Sequence, residues 1–375
     1  MGYRGGVSGL SGLTLVACAA LLSACSPATV PSPSASARPT TIATAIEPQP
    51  TESITPSPGA AAWAQLAASG PTPPPREDHT WTVAPGGATA YLFGGRDGST
   101  VFDDLWAYDL AADAWSRVTP SGGGPQARFG HNAAWAAGIG LVVFAGQSGA
   151  DFFNDLWAYD PAANAWRALP AAGAVPVSRY GSCAAIGPDG RLWISHGFTS
   201  EGQRFADTRA YDFASGTWSD ETPSGDAPIE RCLHACWWTD ADALVLYAGQ
   251  TTGVTALGDL WRLHVGPRPG TNAWEKLAPS GGLPPERNLY SAARWGAATL
   301  VFGGQGLDGG YLADSWWLDD TDGAATPLSV SGSKPAGRAG AELIADPARG
   351  RMLLFGGRSG PVAFDDLWQI TLPPS

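Results

Sequence analysis

The sequence predicts an all-β fold, a six-bladed β-propeller in which four-stranded sheets stand radially around an axis. Three observations carry this: a motif returning about every fifty residues, a composition suited to short strands and tight turns, and an unpartnered strand-like segment ahead of the first repeat. The 375 residues include 49 Gly, 32 Pro and 17 Trp, with 44% hydrophobic and only 15% charged residues. That is enough apolar material for a large core, in residue types that favour strands over helices.

The repeat is clearest where an apolar run ends in glycine. Tyr91-Leu92-Phe93-Gly94-Gly95 is followed by Val143-Phe144-Ala145-Gly146, Ile194-Ser195-His196-Gly197, Leu246-Tyr247-Ala248-Gly249, Val301-Phe302-Gly303-Gly304 and Leu354-Phe355-Gly356-Gly357. The last glycines lie 51, 51, 52, 55 and 53 residues apart. After each comes an Asp-led segment whose apolar and aromatic residues alternate as a two-faced strand requires: Asp104–Asp109, Asp155–Asp160, Asp207–Asp212, then Asp259-Leu260-Trp261, Asp314-Ser315-Trp316 and Asp366-Leu367-Trp368. A Trp-x-x-apolar strand trails at Trp115, Trp166 and Trp274, with a weaker copy at Trp218. A further strand opens after an arginine before each glycine run. Four strands in each of six repeats fit radial blades.

The double glycine, the Asp-Leu-Trp-x-Tyr-Asp segment and the trailing Trp resemble the kelch repeat, whose period is near fifty residues. The resemblance covers about residues 61–371. Blade 3 departs from it with His196-Gly197 and Thr208-Arg209, and blade 5 lacks the trailing Trp, which predicts irregular outer strands there. The chain ends just after the third strand of repeat six. Trp63-Ala64-Gln65-Leu66, a trailing strand without a repeat, is expected to complete that last blade, because two unpaired edges would be left otherwise.

Residues 1–24 read as a lipoprotein signal peptide. Arg4 is a thin basic region, Leu10 to Ala24 is too short an apolar run to span a bilayer, and Leu22-Ser23-Ala24-Cys25 resembles a bacterial lipobox. That resemblance implies lipidation of Cys25 and attachment to the bacterial cell envelope. Residues 25–60, the lipidated Cys plus a Pro/Ser/Thr/Ala-rich stretch, cannot bury enough surface to order and read as a disordered linker with a reach of up to roughly 100 Å. Residues 61–375 form the propeller, expected to be a monomer. The net charge of −12 excludes nucleic acid as a partner and excludes attraction to anionic lipid.

In an antiparallel meander the loops joining the second and third strands and the loops joining blades emerge on one face. Six arginines, Arg76, Arg128, Arg179, Arg231, Arg287 and Arg338, occupy one position in the blade-joining loops. Each is expected to pair with a third-strand carboxylate, from Asp104, Asp155, Asp207, Asp259, Asp314 and Asp366, as a structural ring. The residues that follow the glycines vary between blades, so Arg96 with Asp97, Gln147, Phe198, Gln250, Gln305 and Arg358 are the candidate ligand-binding set around an axial mouth. In eukaryotic kelch adaptors the same mouth receives acidic partner segments; the resemblance thus implies an acidic protein or glycan ligand. Phe198 and Tyr311 are candidates for stacking on sugar rings.

His79, His131 and His234 share one position three residues after the arginine and read as inner-strand packing residues on blades facing a wide channel. His196 and His264 read as incidental, and the Trp residues of the Asp-led segments as core between blades. No metal spacing, triad or phosphate loop appears, and no cofactor is expected. Cys183, Cys232 and Cys236 lie on inner strands of blades 3 and 4. Cys232 and Cys236 are too far apart to join each other, while Cys183 can pair with either. A binding module is the first functional expectation and a structural role in envelope assembly the least. The runner-up is a carbohydrate-active enzyme such as a sialic-acid-type mutarotase, with Glu77, Asp97 and Glu230 as candidate acid and base. The Tyr and His cluster that a related copper radical oxidase requires is missing.

Overall fold

The computed structural model describes residues 61–268 and 270–372. The expected signal peptide, Cys25 and the expected linker lie outside the described residues. Six antiparallel sheets form the ring, each named here by strands a to d from the axis outward. Blade 1 is Thr80–Val83, Thr89–Phe93, Leu105–Asp109 and Ala114–Val118; blade 2 is Asn132–Ala136, Gly140–Phe144, Leu156–Asp160 and Ala165–Ala168. Blade 3 runs Cys183–Ile186, Leu192–Ser195, Thr208–Asp212 and Thr217–Asp220, with Ala172–Gly173 added in parallel outside it. Blade 4 runs Ala235–Trp238, Ala243–Thr251, Val254–His264 and Ala273–Leu277; blade 5 runs Ser291–Trp295, Ala298–Phe302, Ser315–Asp319 and a three-residue Ala325–Pro327. Blade 6 has Ala339–Asp346, Arg351–Ser359 and Leu367–Thr371, and takes its outer strand from the start of the propeller. Ala62–Leu66 pairs antiparallel with Leu367–Thr371, Trp63 opposite Ile370 and Leu66 opposite Leu367.

Outer-strand tryptophans wedge the blades together. Trp115 packs on Phe355, Trp166 on Phe93 and Trp218 on Phe144, each reaching the preceding blade with centroids 5.0–5.3 Å apart. Trp63 does the same to Phe302 at 5.2 Å, so the closing strand makes the packing contact of an ordinary outer strand. In blade 3 the partner position is Ser195, and the neighbouring His196 ring fills the gap, meeting Trp274 at 6.3 Å and His234 at 5.5 Å. His196 is therefore buried core and not incidental. Blade 5 lacks the wedge, and there Tyr247 meets Tyr290 at 5.4 Å.

The axis is closed by backbone. Asp78 N–H donates to Gly340 C=O, Gly130 to Asp78, Gly181 to Gly130, Leu233 to Gly181, Leu289 to Leu233 and Gly340 to Leu289, all at 2.7–3.0 Å. One residue per blade thus forms an endless hydrogen-bonded ring, and each holds φ between +51° and +66°. A Cβ on Gly130 would meet the Tyr180 ring at 1.8 Å, so glycine here makes room for a side chain lying across the axis.

Candidate functional site

The six arginines are fully or almost fully buried. Each makes a two-pronged pair with its third-strand aspartate, Nη1 to Oδ1 at 2.5–2.9 Å and Nη2 to Oδ2 at 2.8–3.0 Å. Nη1 also donates to the carbonyl of the first glycine position, and Nε to the carbonyl two residues upstream. Each guanidinium thereby joins a blade-joining loop to strands b and c of its own blade. Burial alone would raise the Asp104 carboxyl; hydrogen bonds and charge from Arg76 outweigh it and hold the group below the ordinary range. The arginines do not line a mouth.

Sequence reasoning missed a third partner. The indole N–H of Trp106, Trp157, Trp261, Trp316 and Trp368 donates at 2.7 Å to the aspartate two residues before it. In blade 3 the irregular Arg209 takes that place, Nε to Asp207 Oδ2 at 3.1 Å. The recurring Asp-x-Trp spacing was the available signal.

On the same face, the residue after each ring arginine pairs through backbone with the residue after the glycines: Glu77 with Arg96, Phe129 with Gln147, Tyr180 with Phe198, Cys232 with Gln250, Asn288 with Gln305 and Ala339 with Arg358. The side chains differ by sector. Between blades 6 and 1, Arg96 Nε lies 3.1 Å from Glu77 Oε1 and Nη2 lies 3.3 Å from Asp78 Oδ2, while Arg358 pairs with the other Glu77 oxygen and with the Tyr311 hydroxyl. Tyr180, from across the ring, donates to Asp78 Oδ2 at 3.0 Å. Burial, reinforced by the charge of Asp78, lifts the Glu77 carboxyl to about 7 despite both arginines. Burial likewise raises Asp78. Over blades 2 and 3 the half-buried Phe198 contacts the half-buried Phe152 and the buried Tyr180 edge-on, and Arg96 covers the buried Phe129 at 4.2 Å.

The other candidates are dispersed. Gln147 and Gln305 donate to carbonyls of their own turns, and Gln250 reaches the Cys232 sulfur. Asp97 is exposed on the short hairpin Arg96–Asp97 with Thr100–Val101, outside the ion-pair cluster. Of the three candidate acids, Glu77 is buried on blade 1, Asp97 projects to solvent and Glu230 is exposed beside blade 4, so they are not brought together. His79, His131 and His234 border the axial space, and their rings are buried against the neighbouring blade. His79 packs on Phe355, His131 on Phe93 with Nε2 2.9 Å from Thr80 Oγ1, and His234 on His196. Burial, with the Arg128 charge, lowers His131 to about 3. Among the described residues no group of His, Cys, Asp or Glu converges as metal ligands would. Cys183 and Cys236 form a disulfide between the inner strands of blades 3 and 4, Cα atoms 5.6 Å apart, and Cys232 is a buried thiol.

One face also gathers the exposed apolar residues. Of seven large hydrophobic side chains exposed among the described residues, Val175, Val177, Ile229, Leu307 and Val362 lie in the blade-joining or b-to-c loops, and Val254 opens strand c of blade 4 at the same end. Only Val265 stands at the opposite end.

A six-bladed propeller with exposed apolar residues and two arginines on one loop face is a scaffold consistent with ligand or protein binding. The chain belongs to the kelch-repeat family: the model of the KLHDC2/KLHL20/DRC7 Kelch-repeats domain matches residues 57–242 and 217–373. It is similar to mouse (Mus musculus) multiple epidermal growth factor-like domains protein 8, 28% identical over 80% of this chain but 11% of that protein. A Thlaspi arvense N-(sulfonatooxy)prop-2-enimidothioate sulfolyase is 24% identical over 63% of this chain and 72% of its own length. A leucine-zipper-like transcriptional regulator 1 homolog of Drosophila melanogaster is 27% identical over 54% of this chain and 21% of that protein. The chain thus spans about a tenth of the mouse protein and about a fifth of the fly protein.

Proposed function

We propose that the chain is an exported, envelope-anchored binding module that captures an acidic protein segment or glycan on its loop face. The observation that carries this reading is the confinement of six exposed apolar side chains to the face that also holds Arg96 and Arg358. An apolar surface interleaved with arginine and aromatic residues is the composition of recognition surfaces. Protonation of Glu77 leaves two guanidiniums over the single carboxylate of Asp78, an excess of positive charge that suits an anionic partner. Attachment through Cys25 rests on the Leu22–Cys25 motif, and the Cys183–Cys236 bridge agrees with an oxidising compartment.

A glycan and acidic-peptide array probed with the full chain and with the Arg96→Ala/Arg358→Ala variant tests it. The parent is expected to retain ligands that the variant loses. A variant that keeps every ligand of the parent removes this face as the site.

The second reading, a carbohydrate-active enzyme such as a sialic-acid-type mutarotase, has one observation in its favour. Glu77 at about 7 beside two arginines is poised for proton transfer near neutral pH. Accelerated anomeric exchange of a captured sugar, abolished by Glu77→Gln, would distinguish this from capture alone.

A further inference from the structure

Behind the hydrogen-bonded ring the axis widens into a cavity of about 480 Å³ that runs the length of the inner strands. At the ring end Asp78 and Tyr180 are buried and close it; at the other end Val83, Arg294 and Ala345 are half-exposed, so the cavity opens on the face opposite the loop face. Small side chains create the space, with Ala133, Ala184, Ala235, Ala292, Ala293 and Ala341 among its walls. Polar groups punctuate them: Thr80, Thr82, Asn132 and Ser182.

One acidic side chain in this cavity lacks a partner, as do the buried rings of His79 and His234. Glu342, on the inner strand of blade 6, makes no hydrogen bond or ion pair among the described residues, and it is only partly exposed. The arginine in the wall, Arg294 of blade 5, is committed to Asp320 at 2.8 Å and Asp240 at 3.0 Å. From blade 1 the facing groups are Asp78, already held by Arg96 and Tyr180, and the buried neutral His79. His131, His234 and Tyr290 complete the ionisable lining and are buried.

We infer that the axial cavity is a second binding site, taking a small organic cation such as a protonated primary amine, with the Glu342 carboxylate as counter-ion and Thr82, Asn132 and Ser182 as hydrogen-bonding groups. The site is independent of the loop-face reading. A partly desolvated carboxyl without a partner is disfavoured in its charged form, and a cation entering beside it restores that form. Burial together with the Asp78 charge places Glu342 at about 8, so capture at pH 7 releases a proton to solvent.

Titration calorimetry of the full chain with tyramine, and with its neutral counterpart 4-(2-hydroxyethyl)phenol, tests this. The amine is expected to bind at least tenfold more tightly than the alcohol, with a heat that differs between phosphate and Tris buffers because a proton leaves. Glu342→Gln should erase both the preference and the buffer dependence. Equal affinity for the two probes, no binding of tyramine at millimolar concentration, or an unaltered preference in Glu342→Gln overturns the inference. The comparison of probes and of buffers needs only the parent chain, so it stands even if the variant folds poorly.

Discussion

The Asp78 N–H donates to the Gly340 carbonyl at 2.9 Å, and this bond joins the first inner strand of the propeller to the last. The ring is therefore closed twice, at the axis by backbone and at the rim by Ala62–Leu66 on blade 6. Closure leaves no sheet of the ring without its neighbour, which is how propellers avoid long exposed edges.

The axial closure depends on residues that tolerate positive φ. Gly130→Ala places a methyl group where the Tyr180 ring lies, in a conformation L-residues disfavour. It is expected to cost about 1–3 kcal/mol by strain alone. Gly138→Ala, also at positive φ but in open space, should cost less. Urea unfolding midpoints of the two variants make the comparison.

The rim closure predicts that deleting Ala61 to Ala68 lowers the melting temperature of the whole propeller. It removes the Trp63–Phe302 contact, and loss of a buried Trp alone costs about 3–5 kcal/mol. Calorimetry reads the shift, and an unchanged transition would mean that blade 6 needs no fourth strand.

The arginine ring predicts a sharp difference between Arg and Lys. Arg76 uses Nε, Nη1 and Nη2 on four acceptors, and Lys can supply neither the fork nor the Nε bond. Removing one partner of a buried pair costs about 3–5 kcal/mol, so Arg76→Ala should be strongly destabilising and Arg76→Lys only a partial rescue. Chemical denaturation of both variants checks the order.

Stability should peak between about pH 6 and 7. Glu77 at about 7 and Glu342 at about 8 keep protons in the folded chain that the unfolded chain has lost above about 4.5, so stability falls as pH rises through that window. In the opposite direction, burial holds His131 and His196 at about 3 and lowers His79 and His234, so below about 6.5 the unfolded chain gains protons that the folded chain refuses. Four histidines outweigh the raised carboxyls of Glu77, Asp78 and Glu342 on the acid side. Melting temperatures from pH 4.5 to 8.5 trace the curve, and Glu342→Gln should flatten its alkaline limb.

Much of the architecture was legible because it repeats. The glycine runs, the Asp-led strands and the lone Trp63 segment specify six blades and their closure from periodicity and edge pairing alone. The pairing of Arg76 with Asp104 was legible for the same reason, as two complementary residues recurring at fixed positions. What stayed hidden is what symmetry does not repeat. Nothing local in Glu77-Asp78 signals that Arg96, Arg358 and Tyr180 converge on them from three blades. The occlusion of the axis depends on backbone φ at Asp78, Leu233 and Leu289, where two of the three residues are poor indicators of a left-handed turn. His196 was misread because its role is to replace an aromatic missing one position earlier in the chain, a compensation visible only across the blade interface.

Hydrogen–deuterium exchange of the full chain, with and without a ligand captured on the array, tests the central claim most directly. Capture by the loop face predicts slowed exchange in Glu77–Asp78, Arg96–Val101 and the segments around Phe198, Tyr311 and Arg358, with the a-to-b and c-to-d loops unchanged. Protection confined to those opposite loops, with Arg96 and Arg358 exchanging as before, would contradict it.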